Sequence, residues 1–317
     1  MNEHPSPHCG CGNSSKRPAT IWDGTAEILL NEKVAESTYR IRLACPEIAK
    51  SFQPGQFVML RSIGSNDPLL GRPIAVFDAL DASGQSFSDE DPSKRHSIDL
   101  VYIVVGRGTT QLSTMRPGDA LEVWGPLGKP FPAYDCEHLI FIAGGIGQTP
   151  FLSLARRELG LAQFGGVDTC PVVSRPKKIT FCYGARSTNY LACVDDFRAL
   201  DIDVQICTDD GSAGQKGFVT DLIRPLVESA KSEFADSTRP SSHLVGCGPE
   251  PMLAAMTEVA RKLDVPCHVS LETPMACGLG ICFSCVTKVQ TKDGDWDYKR
   301  TCVDGPIFDA REVFGTE

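Results

Sequence analysis

From about residue 20 to 130, apolar and polar positions alternate in short runs, the period of half-buried strands. AEILLNEKVAESTYRIRLAC predicts two strands joined as a hairpin, and QFVMLRSI, RPIAVFDAL, SIDLVYIVV and ALEVWGPL predict further strands. Gly and Pro punctuate them in PGQF, RPGD and GPLG, and helical periodicity is scarce. Short strands at this spacing predict an antiparallel barrel. The polar stretch DASGQSFSDEDPSKRH predicts a hairpin loop.

After about residue 135 the pattern changes. HLIFIA predicts a short buried strand, followed by GGIGQTP and the helical FLSLARREL. KKITFCYGA, DVQICTDD and SHLVGCG predict three more strands, with FVTDLIRPLVESAKSEF and PEPMLAAMTEVARKL as helices among them. Strands alternating with helices predict a doubly wound parallel sheet. The insert GLAQFGGVDTCPVVSRP shows no regular pattern. From about 268, four Cys fall within 26 residues amid Gly and short strand-like runs. That segment has too few apolar residues for its own core, so a metal centre is expected to hold it. The chain thus reads as multidomain α+β, with a disordered tail at 1–18, a barrel at 19–133, an α/β unit at 134–266 and a small C-terminal unit at 267–317.

Composition narrows the function classes. Hydrophobic residues make up 42% and charged residues 22%, as in a soluble globular protein. No apolar run reaches the length of a membrane span, and MNEHPSPHCGCGNSSKRP lacks an apolar signal core, so a cytoplasmic location is expected. The net charge of −9 argues against nucleic acid and anionic membrane as partners. In a reducing compartment the 14 Cys read as metal ligands, reactive thiols or small buried residues rather than disulfides. Cys45, Cys182 and Cys207 sit in apolar runs and read as packing residues. His8, Cys9 and Cys11 lack a second ligand pair and are not read as a metal site.

Cys277, Cys282, Cys285 and Cys302 follow C-x4-C-x2-C and then 16 residues to the last Cys, the spacing of plant-type [2Fe–2S] ligands. Gly278 and Gly280 permit the tight turns such a loop needs. A four-cysteine zinc site is the alternative, but it usually takes two C-x2-C pairs and only one is present. Gly144, Gly145 and Gly147 in GGIGQTP would let backbone approach a phosphate at a helix N-terminus, although the motif is not a full G-x-G-x-x-G and also suits a plain strand-to-helix turn. GCGPEPM ends another parallel strand, where ligands gather in such sheets. Arg72 in GRPIAV is suited to phosphate, or is a surface arginine. In VVGRGTTQLS, Gly106, Gly108, Thr109 and Thr110 supply backbone and hydroxyl donors.

Taken together, GRPIAV, VVGRGTTQLS, GPLG, AGGIGQTP, TDDGSAGQKGFVTD and GCGPEPM resemble, in this order, the ferredoxin–NADP reductase superfamily. SLETPMACGLGICFSC and YKRTCVDGPIFDAREV resemble the electron-transfer subunits of class 1B dihydroorotate dehydrogenases. The resemblance covers about residues 22–314. It implies an FAD-binding barrel, an NAD-binding α/β domain and a [2Fe–2S] domain. By the same resemblance, Arg72, Pro73, Ile74 and Ala75 hold flavin and its phosphates, with Gly106, Gly108, Thr109 and Thr110. Gly144, Gly145, Gly147 and Thr149 form the pyridine-nucleotide loop, and Cys247, Gly248, Pro249 and Met252 lie near the nicotinamide and flavin rings. No acid or base for dihydroorotate is expected in this chain. The implied partner is an FMN-containing dihydroorotate dehydrogenase catalytic subunit in a heterotetramer. Electrons would pass from it through the cluster and FAD to NAD⁺, in pyrimidine biosynthesis, and the cluster loop would be the docking edge.

Two rival functions are a related FAD/[2Fe–2S] reductase subunit serving a hydrogenase, sulfite reductase or ferredoxin, and a non-catalytic iron–sulfur or zinc regulatory module. Arg186 and Ser187 follow the second α/β strand, where a 2′-phosphate would lie, so NAD against NADP stays open. The chain departs from the family pattern at Glu272-Thr273-Pro274-Met275, where Glu-Arg-Met is usual.

Overall fold

The computed structural model describes residues 21–64, 66–85, 92–165, 174–291 and 293–315. The 1–18 tail with His8, Cys9 and Cys11 lies outside them, as do 86–91 of the polar loop and 166–173 of the irregular insert.

The hairpin β1 (Trp22–Ala35) and β2 (Thr38–Ala44) is followed by a short helix α1 (Pro46–Ser51), then β3 (Phe57–Ser62), β4 (Arg72–Asp81), β5 (Arg95–Ile103), a helix α2 (Arg107–Thr114) and β6 (Ala120–Leu127). All strand pairs are antiparallel and the barrel closes in the order β1-β2-β5-β4-β3-β6. The period-2 pattern turns Ala26, Ile28, Ile41, Leu43, Val58, Leu60, Ile98, Leu100, Leu121 and Val123 inward. The two helices were not expected. Short Thr- and Ser-bearing runs carry no apolar stripe, and α2 forms because Gly106 and Thr109 cap it.

Next come β7 (His138–Gly144), α3 (Phe151–Leu159), β8 (Lys178–Ala185), α4 (Val194–Arg198), β9 (Asp203–Thr208), β10 (Gln215–Lys216), α5 (Ile223–Glu233), β11 (Ser242–Cys247), α6 (Glu250–Leu263) and β12 (Cys267–Ser270). β7 is buried along nearly its whole length, as a strand covered on both faces must be. On α6, Leu253, Met256, Ala260 and Leu263 form the buried face at helical spacing. The expected helix FVTDLIRPLVESAKSEF begins with a 3-10 turn, Val219–Leu222, before α5.

The last part of the chain is a ribbon, β13 (Val286–Gln290) and β14 (Trp296–Arg300), then β15 (Ile307–Asp309) and α7 (Ala310–Phe314). The large sheet runs β10-β9-β8-β7-β11-β12-β15, parallel except for the last pair. Segments 267–270 and 307–309, which the sequence reading gave to the C-terminal unit, are therefore strands of this sheet. Their three to four residues are too short to show a period.

One buried charge joins barrel and sheet. The fully buried Asp99 carboxylate accepts from Arg40 Nε (2.6 Å) and Arg42 Nε (2.7 Å), and Arg40 also reaches Asp196 of α4 at 3.1 Å. Cys45, Cys182 and Cys207 are buried with their thiols pushed up by loss of solvation, which fits packing residues.

Histidines in the sheet give the fold an acid limit. Burial lowers His138 to about 4 and His243 to about 3, and His268 also falls. Unfolded histidines titrate near ~6.5, so between there and about 4 the unfolded chain binds protons that the folded chain refuses. Stability is therefore complete above ~6.5 and is lost as pH falls, at up to about 1.4 kcal/mol per pH unit for each histidine. The melting temperature should drop between pH 7 and pH 5, and by less in His138→Gln.

Candidate functional site

A cavity of about 430 Å³ opens where barrel, sheet and cysteine loop meet. Barrel strand β4 contributes Arg72, Pro73, Ile74 and Ala75, and the end of β5 contributes Val101, Tyr102 and Ile103. Thr109 of α2, Thr149 after β7 and Cys247 at the end of β11 complete the predicted residues that line it. Segment 270–275, Phe57 and Pro306 form much of the remaining wall, with Gly55, Val105, Ile146 and Pro150.

The motif glycines divide between two roles. A Cβ on Gly147 would stand 2.2 Å from the Cys247 carbonyl oxygen, and one on Gly144 would meet Met252 and Pro249 at 2.6 and 2.9 Å. Gly248, at φ +150°, closes the same contact from the other side. These glycines, with Pro249 and Met252, therefore let the ends of β7 and β11 approach each other. Gly145 differs, because its φ of +55° needs glycine and nothing lies within 4 Å of its missing side chain. Its backbone is left open to a ligand. In α2, the Thr109 hydroxyl receives the Val105 and Gly106 N–H groups (3.0 and 3.2 Å), so it serves its own loop. Gly106 faces open space, and a Cβ added to Gly108 would stand 3.1 Å from Arg72 Nε and crowd the guanidinium. Arg72 Nη1 donates to the Leu70 and Gly71 carbonyls (3.0 and 3.2 Å). Thr110 is exposed and outside the cavity wall.

At the other end of the cavity, burial raises the Cys247 thiol, and nearby Glu272 adds to the rise. Glu272 is open at the cavity mouth, yet surrounding protein still raises its carboxyl above the usual range. Both groups are therefore biased towards their neutral forms.

The motif cysteines lie beside this wall, with Cys277 neighbouring Cys282 and Cys302, although no three of them are close enough together among the described residues to form a metal cage. Cys285 and Cys302 are buried with their sulfurs 3.2 Å apart. They pack against Phe57, Met59 and Leu127, with Trp124 and Met275 alongside. Burial and then Cys285 push the Cys302 thiol up to about 12. Cys282 is exposed, and hydrogen bonds with Ser284 and Cys277 lower its thiol to about 6. The Leu279 N–H donates to Cys277 Sγ at 3.2 Å. Gly278 and Gly280 take φ of +72° and +78°, and a Cβ on either would meet Met59 at 2.8 Å or Val303 at 2.5 Å. Soft sulfur donors, a backbone N–H aimed at sulfur and glycine turns suit an iron–sulfur cluster.

Sequence reasoning missed Phe57, Glu272, Met275 and Trp124. Glu272 and Met275 flank the cysteine motif and could have been found from that position. Phe57 and Trp124 reach the site only through barrel closure.

Residues 272–314 match the iron-sulfur cluster binding domain of dihydroorotate dehydrogenase B, and residues 141–258 match the oxidoreductase NAD-binding domain. The chain is 32% identical over 292 residues to the dihydroorotate dehydrogenase B (NAD(+)) electron transfer subunit of Caldanaerobacter subterraneus subsp. tengcongensis, covering 92% of this chain and 98% of that protein. This chain belongs to the dihydroorotate dehydrogenase B electron transfer subunit family. The Aquifex aeolicus homolog of that subunit is 34% identical, with 91% of this chain and 97% of that protein aligned. Among solved structures, the NADH-dependent reduced ferredoxin-NADP oxidoreductase studied for flavin-based electron bifurcation superposes with a TM-score of 0.65 at 28% identity. That alignment spans 91% of this chain and 89% of the other. The family's reductase fold, a barrel with an NAD-binding domain and an iron–sulfur domain, is thus the fold described above.

The close contact of the two strand ends generates a test. Gly147→Ala should destabilise the protein by about 2 kcal/mol, typical of forced overpacking, and should weaken NADH binding. Thermal melts and a binding titration measure both.

Proposed function

We propose that this chain is the electron-transfer subunit that carries electrons from a partner FMN dihydroorotate dehydrogenase through a [2Fe–2S] cluster and FAD to NAD⁺, for pyrimidine biosynthesis. One observation carries the reading. Phe57 and Met275 line the cavity on one side and pack against Cys285 and Cys302 on the other, so one apolar layer separates two cofactor-suited sites.

In this reading the flavin, when bound, exchanges hydride with nicotinamide and single electrons with the cluster, which is why one chain holds all three sites. Arg72 to Ala75, with the loop from Gly106 to Thr110, hold the flavin and its phosphates. Gly145 opens the nucleotide loop, with Thr149 behind it, and Cys247 lies where the rings would meet. Cys277, Cys282, Cys285 and Cys302 are the cluster ligands. Phe57 and Met275 exclude water between the two centres. Nicotinamide without the 2′-phosphate suits the acidic ends of β8 and β9, where Asp210 N–H bonds the Arg186 carbonyl and two exposed carboxylates, Asp209 and Asp210, border Arg186.

Around the exposed Cys282, Ile281 and Phe283 are 75% and 62% exposed, an apolar rim suited to the catalytic subunit in a cytoplasmic heterotetramer. The likeness to the ferredoxin-NADP oxidoreductase keeps a second reading in play, in which the same relay serves a different acceptor.

Co-expression with an FMN dihydroorotate dehydrogenase tests both. The complex should contain FAD, iron and sulfide and reduce NAD⁺ with dihydroorotate, whereas this chain alone should not oxidise dihydroorotate. Cys285→Ser should cut that coupled activity by more than about 100-fold, beyond what outer-shell changes cost at metal sites, and should bleach the cluster absorbance. A complex that retains coupled activity without the cluster would overturn the relay.

A further inference from the structure

Trp124 lies on β6, between Asp23 of β1 and Met59 of β3 in the barrel. Its indole makes two contacts that no barrel position requires. The Nε1–H donates to the Cys277 carbonyl oxygen at 2.9 Å. The far edge of the ring covers Gly71, where a Cβ would stand only 2.6 Å from Cη2. Gly71 immediately precedes Arg72, and Cys277 opens the cysteine loop. One half-buried side chain therefore touches the backbone at both sites, and it also packs with Cys285 and Cys302.

We propose that Trp124 is a positioning residue that sets the cluster loop against the flavin-side strand and tunes the cluster's reduction potential. This rests on the relay reading above. The indole N–H polarises the peptide between Cys277 and Gly278, in the stretch whose next amide, Leu279 N–H, already donates to Cys277 Sγ. Hydrogen bonding and solvent exposure around the sulfurs set the potentials of such clusters. Withdrawing the indole N–H leaves more electron density on the loop and makes the cluster harder to reduce. A tryptophan that only filled space would be replaced by phenylalanine without changing the cluster.

The test uses the full chain with its cofactors, comparing the unmodified protein with Trp124→Phe and Gly71→Ala. The first removes the donor and keeps an apolar ring. The second keeps the donor and pushes the ring off its seat. Redox titration would follow the cluster by electron paramagnetic resonance and the flavin by absorbance. Both variants should shift the cluster's signal. Trp124→Phe should lower the cluster's share of electrons at equal poise about threefold, which for one electron is about 28 mV. Flavin content and NADH-dependent flavin bleaching in Trp124→Phe should match the unmodified protein. Identical cluster signals and potentials in both variants would overturn the proposal while leaving the relay intact. If Trp124→Phe does not fold, Gly71→Ala alone decides. An unmodified chain lacking FAD or iron would instead overturn the relay reading, and this inference with it.

Discussion

Between β12 and β15 the chain leaves the large sheet, builds the cysteine loop and the β13–β14 ribbon, and returns. Three antiparallel pairs, His268 with Asp309, Val269 with Phe308 and Ser270 with Ile307, close that excursion. The ribbon and loop hold few buried apolar residues of their own, so they depend on this closure and on the barrel contacts at Met59, Leu127 and Trp124. The same closure brings segment 270–275 into the cavity wall. The ends of β7 and β11, the cavity and the cysteine loop are thus brought side by side.

The divided roles of the glycines follow from that compactness. Gly144, Gly147 and Gly248 are spent on bringing two strand ends together, and of the glycines at these strand ends only Gly145 keeps open space before it. A glycine-rich motif read as a phosphate loop is here mainly a packing solution that leaves one position exposed. The Thr109 hydroxyl is likewise consumed in holding α2. Backbone geometry is built first, and the ligand-facing groups are what remains.

Much of the architecture was legible because it rests on local periodicity. The six barrel strands and the four long parallel strands each carry their own pattern, and the cysteine spacing needs no fold to be recognised. The gathering of Arg72 to Ala75, Thr149 and Cys247 around one cavity was anticipated through resemblance rather than through any period. What was not legible depends on contacts distant in sequence. β12 and β15 are too short to show alternation, α1 and α2 lack an apolar stripe, and Trp124 lies 153 residues from the carbonyl it bonds. Phe57 reads as one more inward strand residue until barrel closure shows that its ring faces both a cavity and two thiols.

The distribution of thiols has a consequence for how the protein ages. Of the eleven cysteines among the described residues, Cys282 alone is exposed, and its hydrogen bonds with Ser284 and Cys277 favour the thiolate. Peroxide or an alkylating agent meeting the cluster-free chain would therefore find one sulfur first. The molecule's oxidative weak point is a single atom at the surface.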